Sequence, residues 1–419
     1  MEELDFFTDI RVTEDLPGYF AAKRAECPVV REKYHGVYMI TGMAEAIQVF
    51  TEHADAFSNA ISVTGPIPPL PFTPEGDIRV QIAAHRHQMS WTDHLATQDG
   101  AEHAAQRAML SKLLTYKRLK ANEEYVEGLV EQLVEGLIDR GRCEVTEDFG
   151  HAVSTLVIAD LLGVPEQDRQ WLLDALGPDP TQLGGDTELK MGPDPIIHLH
   201  GRFHDYMEER LRVPQDDMLT DLAQATFKDG TDPGLAVKAR LACFLFGAGQ
   251  DTSAQLLGFA FRILGDHPEI QERLRSEPER IPDFIEEVLR FEPPVKVLSR
   301  LALRDVEVGG VTVPKGSIIS IGTIGANRDP RHFDDPDTFD YHRRNVRDGL
   351  AFSKGAHGCI GAPLARMEAR VAMEHFLGKT RQIRISEEHH GPPHARRYAY
   401  EPTYLLHGLQ ELHIEWDKA

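Results

Sequence analysis

At 419 residues, with 67 acidic against 45 basic side chains and a formal net charge of -22, the chain lacks the basic face that nucleic-acid binding requires. The length exceeds the usual span of one domain, so it leaves two domains or a single large helical enzyme fold. Four scattered cysteines, Cys27, Cys143, Cys243 and Cys359, exclude a disulfide framework and a clustered zinc or iron–sulfur site. The opening Met1-Glu2-Glu3-Leu4-Asp5 lacks the charged-then-apolar order of a signal peptide. No run approaches the ~18 apolar residues of a membrane span. The expectation is a cytoplasmic protein that touches neither nucleic acid nor membrane.

In chain order, residues 28–50 read as a short strand at Val37–Ile40 followed by helical spacing from Met43 to Phe50. Residues 60–100 are turn-rich, and Gly65-Pro66-Ile67-Pro68-Pro69-Leu70-Pro71 cannot be regular helix. The apolar content there (Ile67, Leu70, Phe72, Ile82, Trp91) favours a wall packed over a ligand, whereas His85, Arg86 and His87 either meet an anionic group or face solvent. Glu102 to Lys120 is helical, with His103 and Arg107 four apart on one face. Residues 121–176 give long amphipathic helices broken at Gly141-Arg142-Cys143. The repeated Gly-Pro-Asp-Pro at 177–180 and 192–195 brackets an insert between helical stretches.

The longest helical candidate spans 235–264. Its apolar face carries Leu241, Phe244, Leu245 and Ala248, ending on Thr252. Gly247 and Gly249 weaken it, each by about 1 kcal/mol relative to alanine. An acid and a hydroxyl at Asp251 and Thr252 are costly inside a buried helix unless used. A threonine can bond the carbonyl one turn back and open a groove. Glu287 and Arg290 follow at helical i,i+3 spacing, then a strand at 295–300. Residues 305–324 alternate like a hairpin about Gly309-Gly310.

Phe352-Ser353-Lys354-Gly355-Ala356-His357-Gly358-Cys359-Ile360-Gly361 sets one cysteine among three glycines, just before a helix whose first turn holds Pro363. Glycine permits tight turns and close approach to a flat ligand, and a helix start stabilises a thiolate. His103-x-x-x-Arg107, Ala248-Gly249-Gln250-Asp251-Thr252-Ser253, Glu287-x-x-Arg290 and this loop, in this order along the chain, resemble the cytochrome P450 family of haem-thiolate monooxygenases, in its soluble bacterial branch. The resemblance covers the chain from about residue 15 to its end.

The resemblance implies a mainly α fold in one domain, 1–419. Small β regions are expected near 28–60 and 295–325, with a C-terminal hairpin whose Leu405 reaches the pocket. It implies haem b (iron protoporphyrin IX) between the long distal helix and the cysteine-loop helix. Cys359 would be the iron ligand, with Phe352, Gly355, His357, Gly361, Ala248 and Gly249 around the ring. His103, Arg107, Arg300 and His357 would hold the propionates, and Asp251 and Thr252 would manage protons for dioxygen. Leu241, Phe244, Leu245, Val295, Val297 and Leu298 would touch an apolar substrate, while Lys296 faces solvent or meets an anionic one. Glu287 and Arg290 would be structural, and residues 177–195 a lid. Basic residues Lys112, Lys117, Arg118, Arg344 and Lys354 form either ordinary surface charge or a docking patch for a ferredoxin on a monomeric enzyme. A peroxide-driven enzyme or a haem sensor or carrier are the competing readings.

Overall fold

The structure is a computed structural model in which residues 4–89, 93–173 and 197–419 are described. Trp91 and the 177–195 insert lie outside them. Six helices position the site: α1 (Gly100–Leu113), α2 (Tyr116–Ile138), α3 (His151–Leu162), α4 (Leu235–Asp266), α5 (Ile281–Phe291) and α6 (Ala362–Lys379).

Helix α4 is the axle. Its 32 residues span roughly 48 Å at 1.5 Å per residue. Beyond its centre it is buried almost all round, from Ser253 to Leu264, as a helix wrapped by others must be. Helices α3, α5 and α6 pack on it. Where the sequence reading carries one helix from Glu102 to Lys120, the chain breaks after Leu113. Thr115 accepts a hydrogen bond from the Arg118 amide and restarts the chain as α2. Helix α2 then buries Leu119, Val126, Val130, Val134 and Leu137 along one stripe. The break at Gly141 leads into a strand, Arg142–Glu144, rather than directly into another helix.

The main sheet comprises β1 (Val29–Arg31), β2 (Tyr38–Ile40), β3 (Phe57–Ser58), β5 (Val297–Ala302) and β8 (Ile318–Gly322), where β4 is Arg142–Glu144 and β6 (Val306–Val308) pairs with β7 (Val311–Val313) as a separate hairpin. Its order is β1-β2-β8-β5-β3, parallel only between β2 and β8. Gly309 and Gly310 both have positive φ, as the β6–β7 turn requires. Strands β4, β9 (Thr380–Ile385) and β10 (His413–Lys418) form a three-stranded sheet. The expected C-terminal hairpin is reduced to one bridge, Tyr400 with Leu409, while Leu406 bridges instead to Val295.

One buried ion pair ties this frame to the cysteine loop. Glu287 and Arg290 have no solvent exposure and meet in a two-armed contact, both arms 2.7 Å. Arg290 also donates to the carbonyls of Asn327 and Pro336 at 2.9 Å. Glu287 accepts from the Asp340 amide at 2.9 Å. Asn327 in turn accepts from the Leu350 amide at 2.7 Å, two residues before Phe352. The pair therefore pins the irregular stretch 327–350 that delivers the loop. Removing one partner strands a buried charge, so Glu287→Ala is expected to cost about 3–5 kcal/mol in denaturant unfolding; a loss under about 1 kcal/mol would show that the pair bears no such load.

Candidate functional site

Between α4 and the cysteine loop lies a cavity of about 1070 Å³, including its open mouth. Phe244, Leu245, Ala248, Gly249 and Thr252 of α4 line one side, and Phe352, Cys359, Gly361 and Leu364 line the other. The Thr252 hydroxyl donates to the Ala248 carbonyl at 2.9 Å, the back-bond that opens a groove there.

The loop is held at several points. The Cys359 amide donates to the Phe352 carbonyl at 2.8 Å. Gly355 has φ +72°, and a Cβ there would sit 2.4 Å from the Phe50 carbonyl oxygen, so only glycine fits. Arg107 donates to the Gly358 carbonyl at 2.6 Å and ties α1 to the loop. Cys359 has substantial accessible surface although burial is the main influence on its thiol, an upward one. The two agree because the open surface belongs to the cavity wall. The amides of Gly361 and Ala362, then Arg107 and Arg366, pull the other way.

Along one edge stand His103, Arg107, Arg300 and His357. The His103 and His357 rings stack at 3.8 Å. Burial, then the nearby His103, Arg300 and Arg107, push His357 down to about 3, so it is neutral in the physiological range. Arg300 is 5 % exposed. Burial lowers its pKa to about 10, with only Asp99 opposing. No carboxylate among the described residues lies within ion-pair distance of it; its guanidinium donates to the Ser299 carbonyl at 2.7 Å. A buried cation left in this state calls for an anion.

A thiol aimed into a wide slot, with cationic and N–H donors along one rim, fits a metalloporphyrin carrying carboxylates. The comparisons point the same way. The family model for cytochrome P450 matches residues 203–388. A solved structure of the Mycobacterium marinum cytochrome P450 CYP150A6 is 45% identical, with a TM-score of 0.92, covering 100% of this chain and 99% of that one. Cyclomarin C epoxidase from Salinispora arenicola is 31% identical over 70% of this chain and 75% of its own length. The 6-deoxyerythronolide B hydroxylase of Saccharopolyspora erythraea is 27% identical over 95% of each chain. The chain belongs to the cytochrome P450 family. It is a P450 monooxygenase, and the family implies a haem-iron cofactor for this slot.

Other residues of this P450 lie elsewhere than the sequence reading expects. Leu298 lines the cavity, but its neighbour Val297 turns into the core beside Phe20 and Tyr404, because alternate strand residues face opposite sides. Leu241 is buried in the helical core. Val295 bridges to Leu406, and Leu405 packs beside the Val297 cluster. None of these four is among the described lining residues. Lys296 does not face solvent and is not among the described lining residues: it is buried, donating to the Thr403 carbonyl and, at 3.1 Å, to that of Glu401. His85 bonds the Gln81 carbonyl, Arg86 approaches Asp93 at 3.8 Å, and His87 meets the Gln88 amide. Asp251 is off the cavity, 3.7 Å from His151 on α3.

Two further acids shape the site. Asp99 accepts from the Asn59 amide and side chain, both at 2.9 Å, and from the Ser58 hydroxyl, fixing the start of α1 against β3. Glu368 lines the cavity, bonded to Ser253 of α4, with one carboxyl oxygen unpartnered. Its spacing was a signal, since it falls on the Leu364–Ala372 face of α6 that is buried. Burial raises it from 4.5 to about 8. Below the unfolded value both states are neutral and the group costs nothing. As pH climbs from 4.5 to 8 only the unfolded chain ionises, and stability drains by up to about 1.4 kcal/mol per pH unit. The melting-temperature advantage of Glu368→Gln over the parent should therefore grow between pH 5 and 8; a pH-independent difference would show that Glu368 is ionised in the fold.

Proposed function

We propose that this P450 inserts one oxygen atom from dioxygen into an apolar organic molecule, of terpenoid, steroid-like, fatty or aromatic type, using electrons from a separate ferredoxin and its reductase. The observation that carries this is the pairing of Cys359 with Thr252 on opposite walls of one largely apolar cavity. Haem b supplies the dioxygen activation and oxygen transfer. The protein's part is positional. Cys359 holds the iron, and the Gly361 and Ala362 amides moderate its thiolate. His103, Arg107, Arg300 and His357 take the propionates. Phe352, Gly355, Gly361, Ala248 and Gly249 leave room for the ring. Phe244, Leu245 and Leu298 exclude water. Thr252 and Asp251 hand protons into the groove. That pair disfavours a peroxide-driven enzyme, and the apolar wall disfavours a sensor or carrier.

The ferredoxin reading rests on charge beside the cysteine face. Lys112, Lys117 and Arg344 are exposed, and Tyr116, next to Lys117 in the chain, is 83 % exposed. Arg118 is already paired with Asp221, which removes it from the patch. Lys354 is half-buried and borders an opening shared with His357. Steering by such a patch weakens as salt rises.

Two measurements test this. Cys359→Ser should lose the red-shifted Soret band of the reduced carbon monoxide complex together with turnover; a retained thiolate band would overturn the ligand assignment. Joint reversal of Lys112 and Lys117 to glutamate should raise the KM for ferredoxin about tenfold at low salt and leave the carbon monoxide spectrum intact. An unchanged KM would move the docking surface elsewhere.

A further inference from the structure

Arg366 stands between the cysteine loop and the protein surface. It lies in the second turn of α6, the helix that rises directly from the loop. Its guanidinium carbon is 4.5 Å from the centre of the Phe352 ring, a cation–π contact. Phe352 lines the cavity together with Cys359, and its carbonyl holds the Cys359 amide at 2.8 Å. Arg366 also meets Glu286 of α5, its Nε 2.5 Å from one carboxylate oxygen and its Nη2 3.1 Å from the other. This is the fork-to-carboxylate geometry that fixes a guanidinium in place. The Glu286 side chain is 7 % exposed and that of Arg366 41 %. The next residue of α5, Glu287, pairs instead with Arg290, so two adjacent acids serve different cations. Among the described residues no other acid is within ion-pair distance of Arg366. With Arg107, it is a cation close enough to favour an ionised sulfur at Cys359.

We propose that Arg366 and Glu286 form an opposed charge pair that sets the reduction potential of the haem held by Cys359, the arginine raising it and the glutamate lowering it. The step concerned is the arrival of one electron at ferric iron, which becomes ferrous and leaves the site one unit more negative. In turnover that electron comes from the ferredoxin. A fixed cation nearby favours the added charge, and a fixed anion opposes it. Arg366 is partly solvated, which screens its effect. Glu286 acts twice: its carboxylate holds the guanidinium against Phe352 and offsets the charge it holds. Neither residue lines the cavity; both border an outer groove with Tyr116, Pro363 and Met367. They are therefore positioning residues, acting through the cysteine loop on a step that the reacting atoms take later. The inference rests on the haem-thiolate reading above and adds what sets the driving force for its first electron.

The test titrates full-length holoprotein at equilibrium with dithionite and redox dyes. Neither ferredoxin nor substrate is present, so docking and turnover do not enter. Arg366→Gln should lower the midpoint potential and Glu286→Gln should raise it, each by about threefold in the reduction equilibrium constant, or about 28 mV for a one-electron couple. The carbon monoxide stretching frequency of the reduced complex should follow, falling in Arg366→Gln as the sulfur donates more strongly and rising in Glu286→Gln. The double variant should return close to the parent on both readouts, because the two charges oppose each other. Arg366→Lys keeps the charge but loses the fork, and should hold most of the parent potential. Shifts of the same sign in the two single variants would show a packing effect and overturn the proposal. So would unchanged potentials in variants with a normal thiolate spectrum, or an Arg366→Lys potential as low as that of Arg366→Gln. Absence of the thiolate spectrum in the parent would instead overturn the haem-thiolate reading.

Discussion

Everything in this fold answers to one constraint: a single sulfur must be aimed into a cavity and kept there. A cysteine on a free loop would not hold a direction. Here the Cys359 amide is bonded to the Phe352 carbonyl, Gly355 lies flat against the Phe50 carbonyl, and Arg107 grips Gly358 from α1. Behind the loop, the chain from Asn327 to Leu350 is fastened by Arg290 and Asn327. Burial of the Glu287–Arg290 pair adds little net stability by itself, since desolvation offsets attraction. What the pair supplies is a fixed register for an irregular segment that has no ladder of its own.

The buried charges divide into two kinds, and the division locates the chemistry. Where the role is structural, each charge is answered within the protein. Glu287 faces Arg290. Glu292 accepts from Arg262 at 2.8 Å and from His407 at 2.6 Å, and is held well below the usual carboxylate range. Lys296 meets the carbonyls of Glu401 and Thr403. Around the cavity the answers are missing: among the described residues Arg300 has no carboxylate within ion-pair distance, His357 is forced neutral, and Glu368 carries a proton near neutrality. Buried charges normally find a counter-charge, so the Arg300 cation and the unpartnered Glu368 oxygen mark space that a ligand would fill.

Much of this was legible in the sequence because the motifs are local. The cysteine loop, the groove motif in α4 and the Glu-x-x-Arg pair each occupy a few consecutive residues, and their spacing fixes which side chains share a face. The β6–β7 hairpin was readable from Gly309-Gly310 for the same reason. What was not legible depends on contacts between distant segments. No spacing rule tells which face of β5 looks inward, so Val297 and Leu298 were grouped although the pleat separates them. Lys296 looked like a surface or substrate group because its partners lie more than a hundred residues away. The break between α1 and α2 turned on Thr115 acting as a cap, a weak signal inside an otherwise helical run.

The same contrast bears on Asp251. Motif matching assigns it to the groove by sequence position, but position along a helix does not say which way a side chain leaves it. Thr252, one residue on, faces the cavity; Asp251, about 100° around the axis, faces α3. The Asp251 carboxylate is also 41 % exposed, so two neighbours in one motif meet different surroundings, the cavity wall for one and water for the other.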